Sequence, residues 1–338
     1  MRFGLVVCAA VLVGLLACSS APRPAPPPPP PAAAGPRWCT ELPRAANRAL
    51  ETVDAGTDWF HVYRAADGVF ALVESDQFQE AISYLIVGRT RALLFDTGIG
   101  LVPIRPVVER LTSLPIEVLN SHTHYDHVGG NAEFDRILAM DTPYTRANER
   151  GFPHSELAGE VAPESFCHGA PAGADLAGFR TRAWRPARII ADGDTVDLGG
   201  RLLEILSVPG HTPDALALLD RANGLLFTGD SYYDGAVWLY VPETDLDAYD
   251  RSMTRLGALG PVVKRLLPAH NTAAADPARL LQVRDAVRRV RSGELTGQDQ
   301  GSNRVLFSFD GFSVLTSKPL LKKAAGDRTR GGSGLTTW

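Results

Sequence analysis

The chain has 338 residues, of which 45% are apolar and 21% are charged, and its formal net charge is −4 at pH 7. This apolar content is far above that of a disordered chain and is enough for one large hydrophobic core or two small ones. The slightly acidic balance gives no electrostatic basis for binding nucleic acid, so a small molecule is the expected partner.

The first residues indicate export. Arg2 precedes an apolar run over residues 3–17, which is typical of a signal peptide and shorter than the ~20 residues of a membrane-spanning helix. The run ends Leu-Leu-Ala-Cys at Cys18, which resembles a bacterial lipobox. The resemblance implies that residues 1–18 hold a lipoprotein signal, cleaved before Cys18, and that this cysteine anchors the protein to the outer membrane or the periplasmic face. The alternative is an ordinary cleavable signal in which Cys18 is incidental.

A linker is predicted at residues 19–37, where Pro and Ala dominate and six prolines are consecutive. Such a stretch favours extended polyproline II and acts as a spacer; a docking site for a proline-binding partner is the alternative. Two cysteines remain beyond it, Cys39 and Cys167. Export favours a disulfide between them, whereas the position of Cys39 beside the linker argues against one, so the pairing is left open.

A folded domain is predicted over residues 60–316, with a disordered tail at 317–338. Short apolar runs bounded by turn residues predict strands. The predicted strands, in chain order, are 69–74, 82–87, 92–95, 116–119, 189–190, 195–198, 202–208, 216–219, 225–228 and 265–267. Helical spacing of apolar residues predicts helices at 103–111, 245–259 and 276–291, the last capped by Asp276 with Pro277 at its first position. A terminal hairpin is predicted at 302–316.

Two sets of buried strands, each with flanking helices, favour a layered α/β domain over an all-β barrel. Between the two sets, residues 141–187 are irregular and rich in Gly, Ala, Pro and aromatic residues. Insertions of this length in a compact domain are usually functional, as lids or binding loops. We therefore interpret this insertion as a candidate lid or binding loop.

A cluster of metal-binding residue types follows the predicted strand 116–119. His122, His124, Asp126 and His127 lie within six residues of one another. Residues two apart at a strand end point to the same side, so His122 and His124 can bind one ion together. Asp126 and His127 follow after the chain turns and can face a second ion. A histidine-rich surface loop is a poor explanation of this pattern.

Three further residues stand directly after predicted strands, where functional residues of α/β proteins collect. They are His211 in Pro-Gly-His-Thr, Asp230 in Thr-Gly-Asp, and His270 in Pro-Ala-His. Each alone is unremarkable, but together with the cluster they provide three protein ligands for each of two ions and one carboxylate between them. Zinc accepts imidazole and carboxylate readily and keeps a position open in catalytic sites. Iron and manganese are the alternatives.

These four motifs and Asp96, in chain order over residues of about 68–292, resemble the metallo-β-lactamase superfamily. The resemblance implies an αββα sandwich, in which two mixed β-sheets flanked by helices hold a two-metal site at their edge. It also implies that His122, His124 and His211 bind the first ion, that Asp126, His127 and His270 bind the second, and that Asp230 bridges them. Asp96 matches the first motif of the family and is expected to orient the ligand loop through hydrogen bonds.

The expected chemistry is hydrolysis by a water that the two ions acidify, with Asp126 as catalytic residue accepting or moving its proton. Asp230 stands where one major branch of β-lactamases has cysteine, and the loop sequences resemble the glyoxalase II and acyl-CoA thioesterase branches. The predicted enzyme is therefore a metal-dependent hydrolase of an ester, thioester or lactone. Two alternatives remain, a β-lactam hydrolase and a metal-binding lipoprotein without turnover.

Overall fold

The computed structural model describes residues 37–323. The signal peptide, Cys18 and nearly all of the predicted linker lie outside the described residues. Within them, the α-helices are α1 (Ala45–Arg48), α2 (Arg105–Leu111), α3 (Tyr125–Val128), α4 (Pro143–Asn148), α5 (His154–Leu157), α6 (Leu246–Gly257) and α7 (Arg279–Ser292). The strands of the first half are β1 (Glu51–Thr52), β2 (His61–Ala66), β3 (Val69–Val73), β4 (Ile82–Val87), β5 (Ala92–Phe95), β6 (Ile116–Leu119), β7 (Ile137–Met140) and β8 (Arg188–Ile190). Those of the second half are β9 (Thr195–Asp197), β10 (Leu202–Ser207), β11 (Leu216–Asp220), β12 (Leu225–Gly229), β13 (Gly235–Leu239), β14 (Arg265–Pro268), β15 (Gln298–Asp299), β16 (Arg304–Ser308) and β17 (Phe312–Ser317).

Two mixed sheets form the centre of the described chain. The first has eight strands in the order β1 to β8, antiparallel up to β5 and parallel from β5 to β8. The second has the order β14-β12-β11-β10-β9, with β12 and β14 parallel. Their facing side chains make one core, in which Tyr84 and Phe95 of the first sheet meet Phe227 of the second edge to face.

Helices cover the outer faces of these sheets. Val107 and Val108 of α2 pack on the outer face of the first sheet with Leu94 and Val118. On the other side, α6 and α7 pack against the second sheet, because their apolar stripes recur at helical spacing. The order helix, sheet, sheet, helix confirms the predicted αββα sandwich.

A third sheet adds to this sandwich. Its order is β13-β17-β16-β15, so the predicted terminal hairpin is joined by β13, which pairs with β17 in parallel. Strand β13 was not predicted, because its partner lies far along the chain. Residues 318–323 are helical, and Leu320 and Leu321 pack on the core, so the predicted disorder is wrong for these residues; the rest of the tail lies outside the described residues.

Other boundaries also differ from the predictions. Helix α7 begins at Arg279 rather than at Asp276, whose carboxylate accepts a hydrogen bond from the Ala278 amide in the turn before the helix. Cys39 and Cys167 form a disulfide, which ties the segment before α1 to the insertion. Among residues 37–323, no helix has the length and apolar character needed to cross a membrane.

Candidate metal centre

The cluster of candidate ligands at residues 122–127 lies on the loop after β6 and in α3. His122 and His124 follow β6, and His124 has extended backbone angles immediately before α3. Asp126 and His127 lie in the first turn of α3, so the change from extended to helical backbone turns their side chains away from the first pair. The other three predicted residues follow strands of the second sheet: His211 after β10, Asp230 after β12 and His270 after β14.

The first group of ligand atoms comes from His122, His124 and His211. His124 Nδ1 lies 2.9 Å from His122 Nε2 and 3.1 Å from His211 Nε2. Asp230 Oδ2 lies 3.5 Å from His211 Nε2. These three nitrogens are close enough to bind one ion together, and with the Asp230 oxygen beside them they make a donor set of the kind that suits a four-coordinate ion.

The second group comes from Asp126, His127 and His270. His127 Nε2 lies 3.3 Å from His270 Nε2 and 3.5 Å from Asp126 Oδ2. The other oxygen of Asp230, Oδ1, lies 3.5 Å from His127 Nε2 and 3.2 Å from His270 Nε2. Asp230 therefore offers one oxygen to each group, and the structure brings all seven predicted residues together.

Two observations indicate that this donor set suits cations. Asp230 Oδ1 is buried and has no hydrogen-bond partner among the described residues, an arrangement that costs free energy unless a positive group satisfies it. Burial alone would lower the pKa of His127, yet Asp126, Asp96 and Asp230 raise it to about 10. The site thus favours positive charge at the second group, as a divalent ion would supply.

The first group differs in charge. Burial lowers the pKa of His122 and His124 well below its usual range and also lowers that of His211. These imidazoles are therefore neutral, which is the form that binds a metal ion. Burial would raise the pKa of Asp230, but the neighbouring His270 and His127 hold it well below its usual range, so this carboxylate is ionised.

Backbone carbonyls orient two of the ligand rings. His211 Nδ1 donates to the Trp238 carbonyl at 2.8 Å, and His270 Nδ1 donates to the Gln79 carbonyl at 2.7 Å. A proton fixed on Nδ1 leaves Nε2 with a free lone pair facing the site. Gln79 and Trp238 were not predicted, because a residue that acts through its backbone carbonyl cannot be recognised from its residue type.

Asp96 forms hydrogen bonds to the loop that carries the candidate ligands. Its Oδ2 accepts from His127 Nδ1 at 3.0 Å, and its Oδ1 accepts from the Ser121 amide at 2.6 Å. Asp96 has φ of 66°, an uncommon backbone conformation for a residue with a side chain, which is typical of functional sites. Asp96 therefore contacts His127 at Nδ1, on the side of the ring away from the candidate metal-binding atom Nε2.

A second buried carboxylate, that of Asp214, was not predicted from the sequence. Asp214 accepts hydrogen bonds from Thr123 at 2.6 Å, from Thr212 at 2.7 Å and from Thr145 at 3.2 Å. Thr123 separates His122 from His124, so Asp214 fixes the loop that carries them. The position of Asp214, three residues after His211, is the sequence feature that could have identified it.

A small cavity opens above the ligand atoms. Its volume is about 100 Å³, and aromatic side chains form much of its wall. Those that line it are Tyr125, Tyr233, Trp238 and Tyr240. Glu160 of the insertion accepts a hydrogen bond from Tyr125 at 2.8 Å, so the insertion contributes to the site by supporting this wall.

Comparison with known proteins agrees with this architecture. The sequence model of the metallo-beta-lactamase superfamily matches residues 81–293. An acyl-coenzyme A thioesterase of Homo sapiens, MBLAC2, is 28% identical over 236 residues, which cover 65% of this chain and 84% of that protein. A hydroxyacylglutathione hydrolase of Aeromonas salmonicida is 27% identical over 195 residues, covering 56% and 61%. The predicted enzyme class, a hydrolase, is confirmed by these relatives.

Solved structures share the fold at lower identity. The metallo-beta-lactamase from Pontibacter korlensis superposes with a TM-score of 0.50 at 18% identity, covering 68% of this chain and 99% of that one. The sec-alkylsulfatase Pisa1 from Pseudomonas sp. superposes with a TM-score of 0.54 at 17% identity, covering 69% and 42%. Because the family model matches well over half of the chain, in a range that spans all seven candidate ligand residues, this protein belongs to the metallo-β-lactamase superfamily.

Proposed function

We propose that this protein is a binuclear zinc hydrolase that cleaves acyl thioesters. The observation that carries the proposal is the arrangement of two groups of three ligands on either side of the Asp230 carboxylate. Both relatives described above are named for thioester substrates, acyl-coenzyme A and hydroxyacylglutathione. The donor set of imidazole and carboxylate suits zinc, with iron and manganese as alternatives.

The residues of the site have separate tasks in this proposal. Two zinc ions would acidify a water and stabilise negative charge on a carbonyl oxygen. His122, His124 and His211 would hold the first ion, and Asp126, His127 and His270 the second. Asp126 also lines the cavity, so its carboxylate is placed to accept the proton of the attacking water.

The size of the cavity limits what lies next to the ligands. Pockets that enclose a drug-sized ligand measure ~300–1,000 Å³, whereas this cavity measures about 100 Å³. It accommodates the thioester group and little else. The remainder of the substrate would extend across the aromatic wall, where the tilted rings of Trp238 and Tyr240 lie 5.7 Å apart between centroids.

A substrate panel tests the proposal. The full chain, loaded with zinc and analysed for metal content, would be assayed on acyl-glutathione, acyl-coenzyme A, a matched oxygen ester, a lactone, a phosphodiester and a chromogenic cephalosporin. We expect kcat/KM to be highest for thioesters. Preferential turnover of the cephalosporin would favour the β-lactam alternative, and no turnover of any substrate by zinc-loaded protein would favour a metal-binding role.

A further inference from the structure

Arg304 lies in the part of the chain that follows the family match. It begins β16, and it pairs with Ser317 of β17 in the third sheet. On the other side of β17, Thr316 pairs with Leu239, the last residue of β13, and Tyr240 follows directly. The sheet therefore brings Arg304 beside Tyr240, one of the residues that line the cavity.

Arg304 contacts this wall directly. Its guanidinium carbon lies 5.6 Å from the centre of the Tyr240 ring, within the range of a cation–π contact. Burial raises the pKa of the Tyr240 hydroxyl, and the positive charge and hydrogen bond of Arg304 oppose that rise. Because Tyr240 lines the cavity, the guanidinium contacts a residue of the cavity wall.

The charge of Arg304 is not neutralised by the described residues. None of their carboxylates forms an ion pair with it, and its Nε is buried with no hydrogen-bond partner among residues 37–323. The arginines of α7 differ, since Arg288 pairs with Asp250 at 2.6 Å and Arg289 with Glu294 at 2.7 Å. A buried guanidinium N–H without an acceptor is costly, and its planar donors match a carboxylate or a phosphate.

We propose that Arg304, held against Tyr240, binds the anionic end of the thiol that leaves the thioester. This inference rests on the proposed function, because it names the residue that binds the part of the thioester substrate that does not fit in the small cavity. The acyl carbon lies at the ligand cluster, and the thiol extends past Trp238 and Tyr240 to the guanidinium. The carboxylates of a peptide thiol and the phosphates of a nucleotide thiol share the required chemistry.

Kinetics on three thioesters of one acyl group test this assignment. The thiols are glutathione, which carries carboxylates, coenzyme A, which carries phosphates, and N-acetylcysteamine, which is neutral. For Arg304→Gln we expect KM to rise about 10- to 100-fold with an anionic thiol, since hydrogen bonds to charged groups are worth ~1.5–3 kcal/mol. We expect kcat, and both constants for the neutral thioester, to change less than about twofold, because the contact is remote from the reacting atoms.

The neutral thioester also reports whether the variant is folded. Arg304→Lys should recover part of the lost affinity, and Arg221→Gln is a matched control, because Arg221 is exposed and paired with Glu204 away from the cavity. A greater loss with glutathione identifies a carboxylate ligand, and a greater loss with coenzyme A identifies a phosphate. Equal changes for neutral and anionic thioesters, or no change for any of them, overturn the assignment.

A binding measurement separates this inference from the proposed function. S-methylglutathione and S-methyl-coenzyme A cannot be hydrolysed, so calorimetric titration of the zinc-loaded protein measures binding alone. We expect Arg304→Gln to weaken binding of at least one of them by about 10- to 100-fold. If wild-type protein binds them through Arg304 yet cleaves no thioester, the proposed function fails and the anion site stands. If it cleaves thioesters and Arg304 is irrelevant to binding, the anion site fails alone.

Discussion

Asp230 connects the two groups of candidate ligands, because it offers one carboxylate oxygen to each group. Each of its oxygens faces a different set of histidine nitrogens, at 3.2–3.5 Å. A cysteine at this position would offer a single sulfur atom, so it could not connect the two groups in the same way. The identity of this one residue therefore bears on how many ions the site can hold.

Asp126 is the residue at which metal binding and proton transfer can be separated. Asp126→Asn retains one ligand oxygen and the size of the side chain, but the amide cannot accept a proton. Loss of a general base costs about 10²–10⁴-fold in rate. We expect kcat on the best thioester to fall at least about a hundredfold, with the ion at His122, His124 and His211 still present by elemental analysis.

Ser155→Ala is the control for Asp126→Asn, because Ser155 is exposed on α5 in the insertion and should leave kcat nearly unchanged. Wild-type kcat in Asp126→Asn with two bound ions would contradict the proton-transfer role. The residue would then be a ligand only.

Glu74 gives a prediction about pH and stability. It is buried and accepts hydrogen bonds from Trp59 Nε1 and from the Ile99 amide, both at 2.9 Å. Burial raises its pKa from 4.5 to about 7, despite these hydrogen bonds. The folded state therefore favours the protonated acid, and this contribution to stability, complete below pH 4.5, is lost as pH rises through 7.

Glu74→Gln removes this titration, since an amide does not ionise. We expect the free energy of unfolding of the wild type to fall relative to that of the variant between pH 5 and 8, by on the order of 3 kcal/mol or less. Urea unfolding at four pH values measures the difference. Parallel stability curves for the two proteins would mean that Glu74 ionises in the folded state as it does in the unfolded chain.

At the scale of elements, local pattern predicted most strands of the two central sheets. The bounds of β4, β5 and β6 match the prediction, because continuous apolar runs between turn residues identify buried strands. The strand β2 was missed, as was β7, which follows the ligand loop after a short turn. Pairing partners were also beyond local pattern, since β13 and β17 are brought together by the fold of the whole domain.

In the candidate site, too, local sequence pattern predicted some groups, whereas others became visible only in the folded structure. Side chains that bind metal are chemically distinctive, so His211, Asp230 and His270 could be found at strand ends. The groups that orient them could not, because the carbonyls of Gln79 and Trp238 could belong to any residue type. Sequence therefore predicts the ligands better than their supports.

The disulfide yields a prediction at this scale. Cys39 and Cys167 are 128 residues apart, so their bond restricts the unfolded chain strongly. Loss of such a bond costs about 2–5 kcal/mol. We expect a phosphine reductant to lower the free energy of unfolding in urea by this amount, while the double variant Cys39→Ser, Cys167→Ser is already destabilised and insensitive to reductant. Equal reductant sensitivity of both proteins would show that the effect does not come from this pair.

At the scale of the whole molecule, we propose that the protein is exported and anchored to the cell envelope by a lipid on Cys18. In this arrangement the proline-rich segment separates the sandwich from the membrane. Wild-type protein should then partition with membranes, whereas Cys18→Ser should be retained unprocessed or released. Membrane fractionation with mass analysis distinguishes these outcomes. Identical partitioning and identical processed mass of the two proteins would remove the basis for the lipid anchor.

We expect the stability of the whole domain to depend on its metal content. The candidate ligands come from loops of both central sheets, so ions bound between them would hold the sandwich together at one edge. A ligand that binds only the folded state stabilises it by about 4 kcal/mol per site at a thousandfold excess over its dissociation constant. We expect two zinc ions per chain by elemental analysis, and a melting temperature that falls on chelation and recovers with added zinc.

The ligand variants decide whether this effect arises at the proposed site. Asp230→Ala removes an oxygen from each group and should reduce bound zinc and the response to chelation together, whereas His124→Ala should lower zinc content mainly through the first group. Ser155→Ala, away from both groups, should behave as wild type. Protein purified in zinc-supplemented buffer that holds no metal would contradict the central proposal, because the buried oxygen of Asp230 would then need another explanation.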